Sequence, residues 1–248
     1  MEIKYSTHHN WYKDISQPVL ENFSKKQRKR ISKTLLLLSE NHISISMHEI
    51  DEVFLNQFLP FYREIIEGKK NPRVMDIRSR LDSNGNKYKQ YGLLIKEKDV
   101  LIGGTVVMNK KNTCTTAFKA YKHNWLTANL EVGPSLISEY FVTTHALNSN
   151  YTKLSHGRDN NPYGQYSSIG LCAYKLSMGY HPVLPKEYEV LTLNTDNVLE
   201  PLLVLERPEN GQAITLAHFF HDTETLNLYG KVTKYPDQLL VTLHNLEE

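Results

Sequence analysis

Residues 93–121, LLIKEKDVLIGGTVVMNKKNTCTTAFKAY, restrict the possible folds more than any other stretch. Apolar and β-branched runs at 91–95, 100–108 and 114–121 are separated by two polar connections, Lys96-Glu97-Lys98-Asp99 and Asn109-Lys110-Lys111-Asn112. Connections this short suit antiparallel hairpins, so the spacing predicts a three-stranded meander.

The flanking sequence is periodic in another way. Residues 23–38 place Ile31, Leu35 and Leu38 at spacings of three and four beneath a basic face, and 43–47, ISISM, alternates like a strand. Val53, Phe54, Phe58, Phe61, Tyr62, Ile65 and Ile66 form an apolar helical stripe that Pro60 is expected to kink or restart. After the meander, Gly133-Pro134 opens a helix with Leu136, Ile137, Tyr140, Phe141 and Leu147 on one face. Residues 151–155 read as a short strand and 156–162 as a loop. A helix then ends at Gly179, where a positive φ is expected, and a strand bounded by Pro182 follows.

This order predicts an α/β (α+β) chain with a mixed sheet flanked by helices. Residues 1–22 read as an arm or short helix, 23–185 as one domain, and 186–248 as a β-rich C-terminal extension with strands near 187–194, 202–205 and 239–243. No run of eighteen apolar residues occurs, and the opening MEIKYSTHHNWYKD has no apolar segment after a basic start. The expectation is a soluble chain with no transmembrane segment. Two cysteines, Cys114 and Cys172, are too few for a disulfide framework and lack metal-ligand spacing, which fits a cytoplasmic protein without a metal. His218 and His221 offer two imidazoles but no evident third ligand. Nucleophile-elbow, P-loop and dinucleotide fingerprints are missing from the sequence.

The net charge of +2 conceals a local excess: Lys25, Lys26, Arg28, Lys29, Arg30 and Lys33 contain no acid among them, and without these six the remainder stands at −4. A basic helix attracts phosphate, although a solvated charged face explains the same residues.

Three blocks resemble the GNAT superfamily of acyltransferases, and within it the Fem-like branch. They are FSKKQRKRISK with the strand and helix after it, the meander with its Gly103-Gly104 pair, and KLSHGRDNNPYGQYSSIGLCAYKLSMGYHPV. The last is the most specific, with Gly-Arg near a strand end and an aromatic-Lys pair before a Gly-aromatic-x-Pro exit. The resemblance implies a GNAT-like, mostly antiparallel twisted sheet whose fourth and fifth strands splay around the donor carbonyl. A primary amine, the small-molecule acceptor, would attack that carbonyl directly.

The donor implied by the wider superfamily is a thioester, acyl-CoA or acetyl-CoA. Its pyrophosphate loop would fall on Leu130-Glu131-Val132-Gly133-Pro134-Ser135, which keeps only the first Gly, so Gly133 and Ser135 are the candidate cofactor contacts. Fem-type enzymes lack that loop and use aminoacyl-tRNA, for which the basic residues 25–33 are the candidate contacts. A third reading, suggested by the eroded loop, is a catalytically silent GNAT-fold protein that binds a ligand or partner.

The resemblance also assigns site residues. Lys175 matches the Fem aromatic-Lys pair, thought to assist the reacting carbonyl or the donor phosphate; the alternative is a lysine that snorkels to solvent. Tyr174 stands at the aromatic position, but five residues before Gly179 rather than four. That turns it about 100° on a helix and favours packing over acid catalysis. His156 is a candidate base, Arg158 a carboxylate or phosphate clamp and Asp159 a partner for a cation, all in the expected loop. Glu131 is an alternative base that would equally suit a helix dipole.

Overall fold

The computed structural model describes residues 1–38, 40, 42–69, 72–84, 87–122, 133–165, 167–209, 213–234 and 239–246. Its strands are β1 (Glu2–Ser6), β2 (His8–Asp14), β3 (Ile43–Glu49), β4 (Lys89–Glu97), β5 (Val100–Lys110) and β6 (Thr113–Tyr121). They continue with β7 (Lys153–Asn160), β8 (His181–Val183), β9 (Val190–Asn194), β10 (Leu202–Leu205), β11 (Leu216–His221) and β12 (Leu240–Asn245). The helices are α1 (Lys25–Leu37), α2 (Glu52–Glu67), α3 (Ile77–Asn84), α4 (Pro134–Asn148), α5 (Ile169–Ser177) and α6 (Leu226–Val232). The architecture is mixed α/β, with mostly antiparallel sheet and flanking helices, as expected. The chain separates into two compact units, one of residues 14–154 and one that joins residues 1–13 to 155–248.

In the contiguous unit the meander forms where the turn pattern places it. Strands β3, β4, β5 and β6 lie side by side and antiparallel, with Leu94 opposite Gly104 and Val106 opposite Phe118. Helix α2 supplies the apolar layer. Asp51 caps it by accepting a hydrogen bond from the Phe54 N–H at 2.7 Å, and Phe54, Phe58, Phe61, Tyr62 and Ile66 pack in one core with Leu94, Val106 and Phe118. Two details differ from the periodic reading. The helix runs through Pro60 without a restart, and Val53 is exposed while Leu55 is buried. Gly104 of β5 has a packing reason, since a Cβ there would come to 2.6 Å from the Phe58 ring.

The other unit contains the larger departures. Residues 2–14, read above as an arm or short helix, form two strands. Strand β1 pairs antiparallel with β9, and β2 pairs antiparallel with β8 and also neighbours β7. Ile3 and Trp11 are buried as a result. The last part of the chain is β-rich, as expected, and includes β11, which the sequence reading missed. Strand β10 pairs antiparallel with β11, and β11 parallel with β12. The Asn161 side chain joins three segments of this unit: its amide N–H donates to the Ser6 and Leu205 carbonyls at 2.8 Å each, while its oxygen accepts from the Leu205 N–H at 3.0 Å.

Candidate functional site

Strand β7 and helix α5 carry most of the residues singled out by the sequence. His156, Arg158 and Asp159 were expected in a loop, yet all three lie within β7, because the strand runs five residues further than its apolar start suggests. Gly157 adopts φ 72, a conformation that glycine takes without strain, and on either side of it His156 and Asp159 are buried while Arg158 is exposed. Helix α5 begins at Ser168, whose side chain accepts from the Leu171 N–H, and it ends as Gly179 predicts. Gly179 has φ 82, its N–H donates to the Leu176 carbonyl, and the Tyr180 N–H reaches back to the Lys175 carbonyl at 3.0 Å.

That geometry fixes Lys175 on the inner side of the helix. It is 2% exposed, so it does not snorkel to solvent. The Nζ donates to Asp159 Oδ1 at 2.7 Å and to the His156 carbonyl at 3.2 Å, and it lies 5.6 Å from the centre of the Trp11 ring. An ammonium so deeply desolvated is tolerable because a carboxylate, a carbonyl and an aromatic face surround it. Burial lowers the Lys175 pKa and the Asp159 charge acts against that shift, leaving a net lowering.

The other oxygen of Asp159 leads to residues that the sequence reading did not single out. Tyr163 donates its hydroxyl proton to Asp159 Oδ2 at 2.7 Å, so its oxygen can only accept elsewhere. It accepts from Trp11 Nε1 at 2.9 Å and meets His9 Nε2 at 2.7 Å. Counting donors assigns His9 as the neutral Nε2–H tautomer. Burial agrees, pushing the His9 pKa from 6.5 down to about 3, and the Tyr163 hydroxyl well above its ordinary value. Nothing local marks His9 or Tyr163 as part of a site. The one available signal, polar side chains interleaved with Trp11 across HHNWYKD, is equally that of an ordinary edge strand.

His156 packs its ring on Tyr180 at 3.9 Å between centroids and faces Tyr174 at 6.0 Å. Tyr174 is half-buried. The site therefore consists of an ion pair inside an aromatic enclosure, built entirely within one unit. The remaining candidates divide differently. Gly133 caps α4 with no side-chain hydrogen bond and with open space where a Cβ would stand, and Ser135 follows in the first turn; both belong to the contiguous unit. Glu131 lies outside the described residues.

His218 directs its ring nitrogens at partners other than His221. Glu206 Oε2 contacts His218 Nε2 at 2.9 Å, and His218 Nδ1 contacts His244 Nε2 at 3.0 Å. The two ring centroids are 5.3 Å apart, which places both rings end to end along a hydrogen bond rather than converging on one ion. Among the described residues there is no group of three or more His, Cys, Asp or Glu able to hold a metal, and no helix long and apolar enough to cross a membrane. Cys114 and Cys172 are both buried free thiols.

With this geometry in view, comparison with known proteins places the fold. No family model matches the sequence, and neither does any curated protein. Among solved structures the chain is similar to FemX at 12% identity and a TM-score of 0.55, covering 70% of this chain and 59% of that one. It spans about three-fifths of the length of FemX. Weaker likenesses include L-PGS from Bacillus licheniformis, at 12% identity and a TM-score of 0.49 over 80% of this chain and 63% of that one. Another is an aminoglycoside acetyltransferase from an uncultured soil metagenomic sample, in complex with sisomicin, at 14% identity and a TM-score of 0.33 over 45% and 74%. The fold is similar to that of FemX, in keeping with the Fem-like resemblance read from the sequence.

Proposed function

We propose that the protein is a transferase that moves an acyl group from an activated carrier to a primary amine, by direct attack of the amine on the carrier's carbonyl. The observation that carries this reading is the buried Lys175–Asp159 pair, set behind the His156 carbonyl in a chain whose fold is that of FemX. A site for this reaction must hold its groups rigidly, and a desolvated ion pair held by the His156 carbonyl, the Trp11 ring and the Tyr163 hydroxyl does so. Lys175 then acts as a positioning residue: its ammonium is spent on Asp159 and on the His156 backbone, and it influences the reacting carbonyl through its field. His156 is the candidate for accepting the amine proton, with Tyr174 beside it. Arg158, exposed on the same strand, is the candidate clamp for an anionic substrate group.

The favoured carrier is aminoacyl-tRNA. Helix α1 exposes Lys25, Lys26, Lys29 and Lys33 on a helix fixed by a capping box between Ser24 and Gln27, so that several cations are presented together. A thioester carrier is the second reading, supported by the helix start at Gly133, where no described atom lies within 4 Å of a Cβ position; Pro134 removes one N–H donor there, which weakens it. Incubation with charged tRNA, acetyl-CoA or longer acyl-CoAs and a panel of amines tests both. Transfer of label from tRNA with no thiol release supports the first reading, and thiol release the second. Failure of every carrier both to bind and to transfer would replace them with a catalytically silent ligand- or partner-binding role.

A further inference from the structure

Among the described residues, strand β9 has an open edge. Its pairing with β1 sets Ile3 opposite Leu193 and Tyr5 opposite Leu191, and flanking bonds run from the Thr7 N–H to the Glu189 carbonyl and from the Thr195 N–H to the Met1 carbonyl. The odd-numbered residues of β9 therefore direct their backbone groups at β1. On β1 itself, the Lys4 carbonyl turns the other way, toward the Arg207 N–H. The Val190 and Thr192 backbone groups and the Asn194 N–H consequently face away from β1, the strand's neighbour among the described residues.

Edges of this kind are usually blunted by lysine, proline or a bulge. VLTLN contains none of these and no charge. It carries exposed apolar side chains instead. Of the twelve large exposed hydrophobic residues among those described, Val190 and Leu191 lie on β9, Tyr188 just before it, and Met1 just before β1.

We propose that two copies of the chain associate through β9, pairing antiparallel about a two-fold axis at Thr192. The segment is complementary to itself in that register. Thr192 exchanges both backbone bonds with its own copy, and the Asn194 N–H meets the partner's Val190 carbonyl on each side. Leu191 and Leu193 alternate across the axis, and no like charges are opposed within the five residues. The two ribbons become one four-stranded sheet, in which Val190 and Leu191 gain cross-strand partners. A contact of five residues per chain is small against the roughly 1,000 Å² of a specific interface, so the dimer is weak and concentration-dependent.

The test uses charge at the axis. Thr192 is exposed, so T192K and T192E retain the fold, and circular dichroism checks this. Sedimentation equilibrium should show wild type moving from monomer to dimer with concentration, and each variant remaining monomeric across a tenfold wider range. An equimolar mixture of T192K and T192E should dimerise again, because Lys then faces Glu. A wild type that stays monomeric, a T192K variant that dimerises as wild type does, or a mixture that fails to recover would each overturn the proposal. Loss of dimer in L243K, on the edge strand β12, with T192K unaffected, would overturn it as well.

Discussion

Tyr163 is the residue on which the buried network depends. Its oxygen accepts two N–H groups and donates to a carboxylate, so Tyr163→Phe strands Trp11 Nε1, His9 Nε2 and Asp159 Oδ2 together. That loss should cost about 2–4 kcal/mol, read as a drop in the chemical-denaturation midpoint. Removing Asp159 is more severe, since Asp159→Asn leaves an ammonium without its counter-charge, at about 3–5 kcal/mol; replacing both members, K175M with D159L, should recover much of the stability while abolishing transfer. His9 gives the pH dependence. Its folded pKa is depressed to about 3 from 6.5, so the native state excludes a proton that the unfolded chain accepts. The contribution of neutral His9 is complete above 6.5 and is lost as pH falls toward 3, and His9→Gln should flatten that part of the stability profile measured by urea titration.

Elements whose partners are close in sequence were the legible ones. Helix α2 announces itself because Phe54, Phe58, Phe61 and Tyr62 recur at helical spacing, and the meander because each turn joins strands that pair with each other. Strand β2 could not be recognised from HHNWYKD: its register against residues 181–183 depends on a chain segment about 170 positions away, and half its side chains are polar in either state. The candidate site was half legible for the same reason. Lys175 and Asp159 sit in a recognisable block, whereas His9 and Trp11 arrive from a strand that no local rule connects to it. The close approach between α2 and β5 yields a further expectation. Gly104→Ala must push the Phe58 ring aside, and overpacking of this kind should lower stability by about 1–3 kcal/mol, visible as a fall in Tm. Gly179→Ala meets no such obstacle, its nearest neighbour being Lys13 at 3.5 Å, so its cost of about 1–2 kcal/mol reflects the positive φ alone.

The whole molecule keeps the lysines of α1 and its buried ion pair in different units, and the two can be perturbed separately. Neutralising Lys25, Lys26, Lys29 and Lys33 with glutamine should weaken tRNA binding at least tenfold and flatten its salt dependence, as measured by filter binding across a salt series. Stability should change by less than about 0.5 kcal/mol, because all four side chains are exposed. The division into units also has a temporal side. Residues 14–154 are contiguous and find their partners as they emerge from the ribosome, but Ile3 waits for Leu193 and Trp11 for Pro182. At ordinary rates of synthesis that delay is roughly ten to forty seconds. For that interval the first thirteen residues are an unpaired segment attached to a domain free to fold, and a nascent-chain chaperone that shields Ile3 and Trp11 would matter more to this protein's yield than one acting on the finished chain.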